Sequence, residues 1–519
     1  MNKIAAFVDH YENMPMGFGQ WLSVALFIIF IRDGIESLVS TQNFAIPDAF
    51  HLLHVPVFFL SLLLFIIIIL HFFTKTNIQK VSKIALIPFS IIILPVFLDF
   101  IVILLTKTEI TYHYIEDNLW LSMLRFLDPS YQVPELPYTV RLEIALVTLM
   151  TLGYVFLKRR KILLALSAAL VIYVLCFFYV SVPGVLIEIF KLIALVINVF
   201  HLQNFPFTEG VIDEGLVVII ELLLISLLAL IWLWCYDSAK CKAILKNMRL
   251  TRSLHYMLLC LLGVFAYHLE ALPIKDLFTF IRITGMLLAV FFAFQFSVVI
   301  NDIFDIGCDK VSNIGRPLIT QAINKDDYLN IGCVYLALGL LFSFWVSRTC
   351  TMITLLFIAF YFLYSAPPLR LKRFFPLSSF IIGIQATLAF AVGKLSFEEN
   401  NATPYYRNYL FWLVFIVFSL SSSVKDLKDI EGDKKTGVVT LPVLLGEENG
   451  RKVIAVLVFL SYCFVPYFLI LAFHKTYAIV LSLGFGLINL FYIRKKSAKE
   501  KIIFFIYFIY AFLLILIVR

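Results

Sequence analysis

The chain has 519 residues, 62% of them hydrophobic and only 15% charged, with Lys and Arg exceeding Asp and Glu for a net charge of +8. Its mean hydropathy of +0.96 and its apolar share, against roughly 45–50% in soluble domains, exclude a soluble protein carried on a single anchor. The surplus basic residues sit at the ends of apolar runs, where the positive-inside rule places them, so the charge does not describe a nucleic-acid surface.

In chain order, Met1 to Gln20 holds Asp9, His10 and Glu12 and has no long apolar core. The first spanning helix is therefore expected to direct insertion itself. Apolar runs follow at 20–38, 53–73, 82–106, 140–157, 162–180, 184–202 and 214–236, each near the ~20 residues a span requires. Between 107 and 139 lies a polar loop whose WLSMLRFL core predicts a short interfacial helix. If all seven runs crossed, the basic cluster Lys158 to Lys161 and the cluster Lys240 to Arg252 would face opposite sides, against the positive-inside rule. The run 184–202 follows Pro183-Gly184 and carries Glu188 and Lys191. It is expected not to cross, which leaves six spans, a cytoplasmic N-terminus, and Lys75, Lys80 and Lys83 inside.

Within these runs Arg32 and Glu36 stand i, i+4 and can pair on one face, with Asp33 between them, and Asp99 follows Pro95. Such residues are either functional or structural pairs that join helices. Residues 1–245 contain no metal-ligand or nucleophile spacing. This half can scaffold, bind a protein or lipid partner, or shape access for a substrate. None of the eight cysteines forms a CxxC pair, and they read as small packing residues.

The basic linker KCKAILKNMRLTR, Lys240 to Arg252, separates an N-terminal domain, 1–245, from a second domain, 246–519. Nine apolar runs follow, at 254–272, 281–300, 328–347, 350–364, 376–393, 408–424, 452–473, 477–493 and 502–518. Starting the first in the cytoplasm places Lys310, Arg316, Arg370, Lys372, Arg373, Lys425 and the Arg494 to Lys501 loop inside. The predicted fold class is an all-α polytopic membrane protein. A nine-helix transmembrane bundle is preceded by an additional helical membrane domain of about six spans.

Three stretches of the second half carry chemistry. NDIFDIGCDKVSNIGRPL, Asn301 to Leu318, places Asn301, Asp302, Asp305 and Asp309 at the end of an apolar run. Positions i, i+4 and i+8 drift by only about 40° per step on a helix, so Asn301, Asp305 and Asp309 share a face. KDLKDIEGDKKTGVVTLPVLLG, Lys425 to Gly446, repeats the device with Asp426, Asp429 and Asp433. Like charges at this spacing repel and are costly beside hydrocarbon. A divalent metal such as Mg²⁺, which prefers carboxylate oxygens and shares itself with substrate phosphates, would offset both. The third stretch is YSAPPLRLKR, Tyr364 to Arg373.

The first stretch resembles the NxxxDxxxD motif of the UbiA superfamily of intramembrane prenyltransferases. Asp429 to Asp433 is similar to that family's DxxxD motif, and Tyr364 to Arg373 to its loop between the fourth and fifth helices. The resemblance covers about residues 250 to 519. It departs from the family in having one Arg-Pro pair, Arg316-Pro317, where many members carry two. It implies a nine-helix bundle with the motifs on the cytoplasmic face. It also implies that Asn301, Asp305, Asp309, Asp429 and Asp433 bind the metal, with Asp302 and Asp426 as companions.

On this reading a polyprenyl diphosphate places its tail among the helices and its head at the acidic mouth. Arg316, Arg370, Lys372, Arg373 and Lys425 are candidates for the remaining phosphate charge. The faces of Tyr364 and Phe304 are placed to stabilise an allylic cation until a lipophilic or aromatic acceptor attacks. The competing readings are a transporter or lipid-binding protein that uses the acidic faces for cations, and a phospholipid head-group transferase. The DG-xx-AR arrangement of the latter is at neither cluster.

Overall fold

The computed structural model describes residues 2–41, 49–107, 110, 112–115, 118, 119–128, 130–131, 136–189, 214–267, 277–397, 409–468 and 475–518. They form two compact units, Met1–Cys241 and Lys242–Arg519. Among the described residues the only β pairing is one parallel bridge, Phe374 with Val439. Twelve helices among these residues are long and apolar enough to cross a membrane, and the chain is a multi-pass membrane protein.

In the first unit the long helices are Phe18–Thr41, Ala49–Thr74, Tyr138–Arg159, Ile162–Val180 and Glu214–Tyr236. A further span starts as Ile78–Phe89, tightens into the 3-10 turn Ser90–Ile92, and continues as Ile93–Thr106. The turn lies between Pro88 and Pro95, neither of which can donate a backbone hydrogen bond. Ile29, Leu63, Ile67, Val81 and Val155 are at the centre of the core. The polar helix Asn2–Asn13 bends away from Phe18–Thr41 by 117°. It is pinned through Glu12, which accepts from Tyr154 at 2.9 Å and Lys158 at 2.8 Å. The WLSMLRFL core forms the short helix Leu119–Arg125. Arg32 pairs with Glu36, and Asp99 accepts from Tyr112 and Thr139, each at 2.6 Å. The expectation for 184–202 concerns residues that, from 190 on, lie outside the described ones.

Among the described residues the second unit contains nine long helices: Leu250–Tyr267, Leu277–Phe304, Lys325–Val346, Arg348–Ser365, Leu377–Phe397, Tyr409–Ser421, Glu447–Phe468, Lys475–Ile493 and Glu500–Val518. Each coincides with one of the nine apolar runs. Membrane helices gain little from burying apolar surface against one another, so close backbone approach at small residues matters more. Leu250–Tyr267 and Leu377–Phe397 illustrate this. A Cβ on Gly263 would collide with the Phe390 carbonyl, and one on Gly393 with the Cys260 carbonyl.

Candidate active site

The site begins where the Leu277–Phe304 helix ends. Asp305 takes φ −104° and ψ 10°, and a short helix, Ile306–Ser312, follows. The i to i+4 backbone bonds nevertheless continue through the break: Asp305 to Asn301 at 2.9 Å, Asp309 to Asp305 at 2.8 Å, and Asn313 to Asp309 at 2.9 Å. The expected face survives as a turned ladder rather than a straight helix. Asn301 donates its amide to the Asp305 carboxylate.

The second motif repeats this geometry. Residues Ser422–Lys428 are 3-10, Asp429 takes φ −106° and ψ 8°, and the short helix Ile430–Thr436 follows. Asp433 donates its backbone N–H to the Asp429 carbonyl at 2.8 Å. Thus Asp305 and Asp429 occupy the same bridge-region conformation at equivalent positions. The two short helices pack against each other. Gly432 is buried there, and a Cβ on it would collide with Ser312 Oγ and stand 2.6 Å from Cys308 Sγ. Asn313 Nδ2 donates to Asp309 at 2.9 Å and to Asp429 at 3.1 Å. Cys308 Sγ lies 3.8 Å from Asp433. One amide therefore bridges Asp309 and Asp429, and Asp433 meets the first motif through Cys308.

The third stretch supplies the cations. Arg370 donates to Asp305 at 3.0 Å, and Lys372, itself buried, pairs with the same carboxylate. Arg370 adopts φ 41°, which turns the chain back under the first motif. Arg373 is exposed and contributes its backbone: its carbonyl accepts from Val439 N–H at 3.0 Å. That bond fastens this loop to the segment after the second motif. Lys425 pairs with the Tyr364 hydroxyl, its Nζ 4.6 Å from the ring centroid, and lies 4.0 Å from Asp426. Phe304 is more than one-third exposed at the first break.

Asp302 is held elsewhere. It is 1% exposed, pairs with Arg249, and accepts from Asn247 at 2.7 Å and Tyr328 at 3.0 Å. Arg316 joins this network by donating to Asn247 at 2.8 Å. A second tie joins Glu500 to Arg252 and, at 3.2 Å, to Lys428 at the base of the second motif.

Residues 256–514 match the model of the UbiA prenyltransferase family. The C-terminal half of the chain belongs to this family. It is similar to the digeranylgeranylglyceryl phosphate synthase of Methanocaldococcus jannaschii, 32% identical over 160 residues, covering 31% of this chain and 54% of the relative. The corresponding protein of Sulfolobus acidocaldarius is 30% identical over 177 residues, covering 33% and 61%. The match thus spans between half and two thirds of the length of these relatives. Among solved structures, a UbiA homologue from Archaeoglobus fulgidus described as bound to GPP and Mg²⁺ is 22% identical. It covers 53% of this chain and 97% of its own, with a TM-score of 0.44. The structure of a digeranylgeranylglyceryl phosphate synthase is 24% identical over 53% and 96%, with a TM-score of 0.39.

The carboxylates of this UbiA unit are not electrostatically alike. Burial raises Asp309, the Asp302 charge adds to it, and its pKa stands at about 6. Burial, followed by Asp426 and Asp429, raises Asp433 to about 7. Burial would raise Asp305 as well, but Lys372 and Arg370 outweigh it and hold that carboxyl below its ordinary value. The burial of Lys372 lowers its own pKa. So Asp305 is already neutralised by the protein, whereas Asp309 and Asp433 are short of positive charge.

That shortfall fits a divalent cation. The donors are hard carboxylate oxygens, which suit Mg²⁺. Among the described residues no three acidic, His or Cys side chains are close enough to form a metal site by themselves. The arrangement suits an ion that keeps water and takes phosphate oxygens as ligands. Sequence reasoning missed Asn313, although it continues the 301, 305, 309 spacing by one more step. It also missed Arg249 and Asn247, which lie in the linker read only as a boundary.

Proposed function

We propose that the UbiA unit is a Mg²⁺-dependent prenyltransferase. It transfers a polyprenyl group from its diphosphate to a lipophilic or aromatic acceptor. The observation that carries this reading is the junction of the two motifs, Asn313 bridging Asp309 and Asp429 and Gly432 packed on Cys308 and Ser312, with Arg370 and Lys372 on Asp305 beside it. The family match supports the reaction class. Similarity to proteins named digeranylgeranylglyceryl phosphate synthases supports a lipid as the acceptor.

Asp309, Asp429 and Asp433, with Asn301 and Asp305 beside them, would hold the ion and through it the diphosphate. When bound, Mg²⁺ supplies charge neutralisation that makes diphosphate a better leaving group. Arg370 and Lys372 hold Asp305 ionised and stand ready for phosphate oxygens. Arg316 and Arg373 are farther candidates for the same charge, with Asp302 and Asp426 as supporting acids. Lys425 holds the Tyr364 hydroxyl and stands over one face of its ring, which leaves only the opposite face to meet an allylic cation. The surrounding helices exclude water until the acceptor arrives. The positive-inside distribution supports a cytoplasmic placement of the N-terminus and the motif loops, and the basic linker supports a functional boundary near residue 245.

The test is transfer of radiolabelled prenyl group in membranes containing the full chain. Transfer is expected to require Mg²⁺ and to be lost in Asp305→Ala and Asp433→Ala. Full activity in either variant would contradict the reading.

A further inference from the structure

The Met1–Cys241 unit contains a cavity of about 480 Å³, and every residue lining it belongs to that unit. Small-molecule sites run from roughly 300 to 1,000 Å³. The cavity is long. On the Ala49–Thr74 helix its wall extends from His54 to Leu70, and on Tyr138–Arg159 from Val140 to Leu157. At 1.5 Å per residue each wall is about 25 Å long, most of the ~30 Å hydrocarbon thickness of a bilayer.

Its two ends differ. From Phe58 to Leu70 the Ala49–Thr74 helix lines it with hydrocarbon alone. Toward His54, Arg32, Glu36, Tyr112 and Glu143 gather on the wall. Most of these polar groups are satisfied. Arg32 pairs with Glu36 and lies 4.6 Å from the Phe59 ring centroid. Tyr112 donates to Asp99 at 2.6 Å. His54 bridges the Tyr114 hydroxyl at 2.5 Å and Glu221 at 3.2 Å. Glu143 differs. Its charged neighbours are Arg32 and Glu36, and among the described residues no hydrogen bond reaches its carboxylate. A carboxylate on an apolar wall without a donor is costly.

We propose that this unit binds an amphiphile with one extended hydrocarbon chain and a hydrogen-bond-donating head, a hydroxyl or protonated amine, seated on Glu143. The chain fills the slot toward Leu70 and the head supplies the donor that Glu143 lacks. An anionic phosphate head fits poorly. The Arg32 guanidinium is already committed to Glu36, and Glu143 would repel a second anion.

The experiment uses the purified full chain in nanodiscs and three radiolabelled probes of equal chain length: hexadecanol, hexadecylamine and hexadecyl phosphate. Saturable binding of the alcohol or the amine is expected, at least about tenfold tighter than the phosphate, since hydrogen bonds to charged groups are the strong ones. Glu143→Leu should weaken it about tenfold or more. Glu143→Gln, which keeps an acceptor, should retain the alcohol and lose preference for the amine. Val147→Trp and, independently, Gly153→Phe should block the slot, both positions being on its wall. Prenyl diphosphate with Mg²⁺ should not displace the probe. Three results would overturn the proposal: phosphate binding as tightly as the other heads, no saturable binding of any probe, or binding that well-folded Glu143→Leu and Gly153→Phe proteins leave unchanged.

Discussion

The carboxylates of Asp309 and Asp429 share a single donor, the Asn313 side-chain amide, at 2.9 and 3.1 Å. One residue therefore sets the spacing between two motifs that lie far apart in sequence. Groups that orient metal ligands typically contribute 10–100-fold to metal affinity or activity, as an order of magnitude. Asn313→Ala is expected to raise the Mg²⁺ concentration needed for half-maximal transfer by about that factor, with the fold intact. A Mg²⁺ titration of turnover measures it.

Gly432 is the point of closest approach between the two short helices, and a Cβ there has nowhere to go. Overpacking of this kind costs about 1–3 kcal/mol. Gly432→Ala should lower the thermal unfolding temperature and depress turnover by separating the motifs. Gly307→Ala, whose new Cβ would meet Thr436 at an ordinary 3.6 Å, should do neither. Thermal unfolding and turnover of the two variants side by side distinguish them.

Asp302 belongs to the motif by sequence and to the scaffold by contact. Asp302→Ala leaves the part-buried Arg249 guanidinium without its partner, a change that costs up to about 3–5 kcal/mol where a buried pair is broken. The expected phenotype is low yield and a lowered unfolding temperature, with the Mg²⁺ dependence of the surviving protein unchanged. Unaltered stability with lost Mg²⁺ dependence would instead place Asp302 among the ligands.

The pH response follows from Asp309 near 6 and Asp433 near 7, both raised from 3.8. A carboxyl raised by folding contributes stability below its unfolded pKa and loses that contribution as pH rises through the folded one. Without divalent ions the chain should therefore become less heat-stable as pH rises from about 4 to about 7, the span from the unfolded to the folded values of these two groups. Mg²⁺ should restore stability at pH 8 and do little at pH 5, because ligands must be deprotonated to bind. Asp305 has the opposite sign, being lowered; its contribution is lost only as pH falls through its folded value, outside this window. Thermal scans with EDTA or Mg²⁺ at each pH test the sign.

Much of this was legible in the sequence. Apolar runs of spanning length must become helices in hydrocarbon, and the described part of each run in the second half is helical. The i, i+4 spacing of Asn301, Asp305 and Asp309 announced a common face. The breaks at Asp305 and Asp429 were not legible, because a helical spacing looks the same whether or not the axis turns within it. Nor was the sorting of basic residues. Arg316, Lys372 and Arg373 all read alike as inside charges and phosphate candidates, and Arg249 as part of the linker; only tertiary contact separates Lys372 on Asp305 from Arg249 on Asp302 and from the exposed Arg373. In the first half Arg32 and Glu36 declared their pairing by spacing. Glu143 carried no such signal, since its significance lies in the slot it faces.

On the proposed reading both motif helices hold one diphosphate through Mg²⁺. Equilibrium binding of radiolabelled prenyl diphosphate to the purified full chain, with and without Mg²⁺, tests it directly in the wild type, Asp309→Asn, Asp429→Asn and the double variant. Mg²⁺-dependent binding is expected, abolished by either single substitution and worsened no further by the double. Binding that ignores Mg²⁺, or that survives the loss of either motif's aspartate, would contradict it.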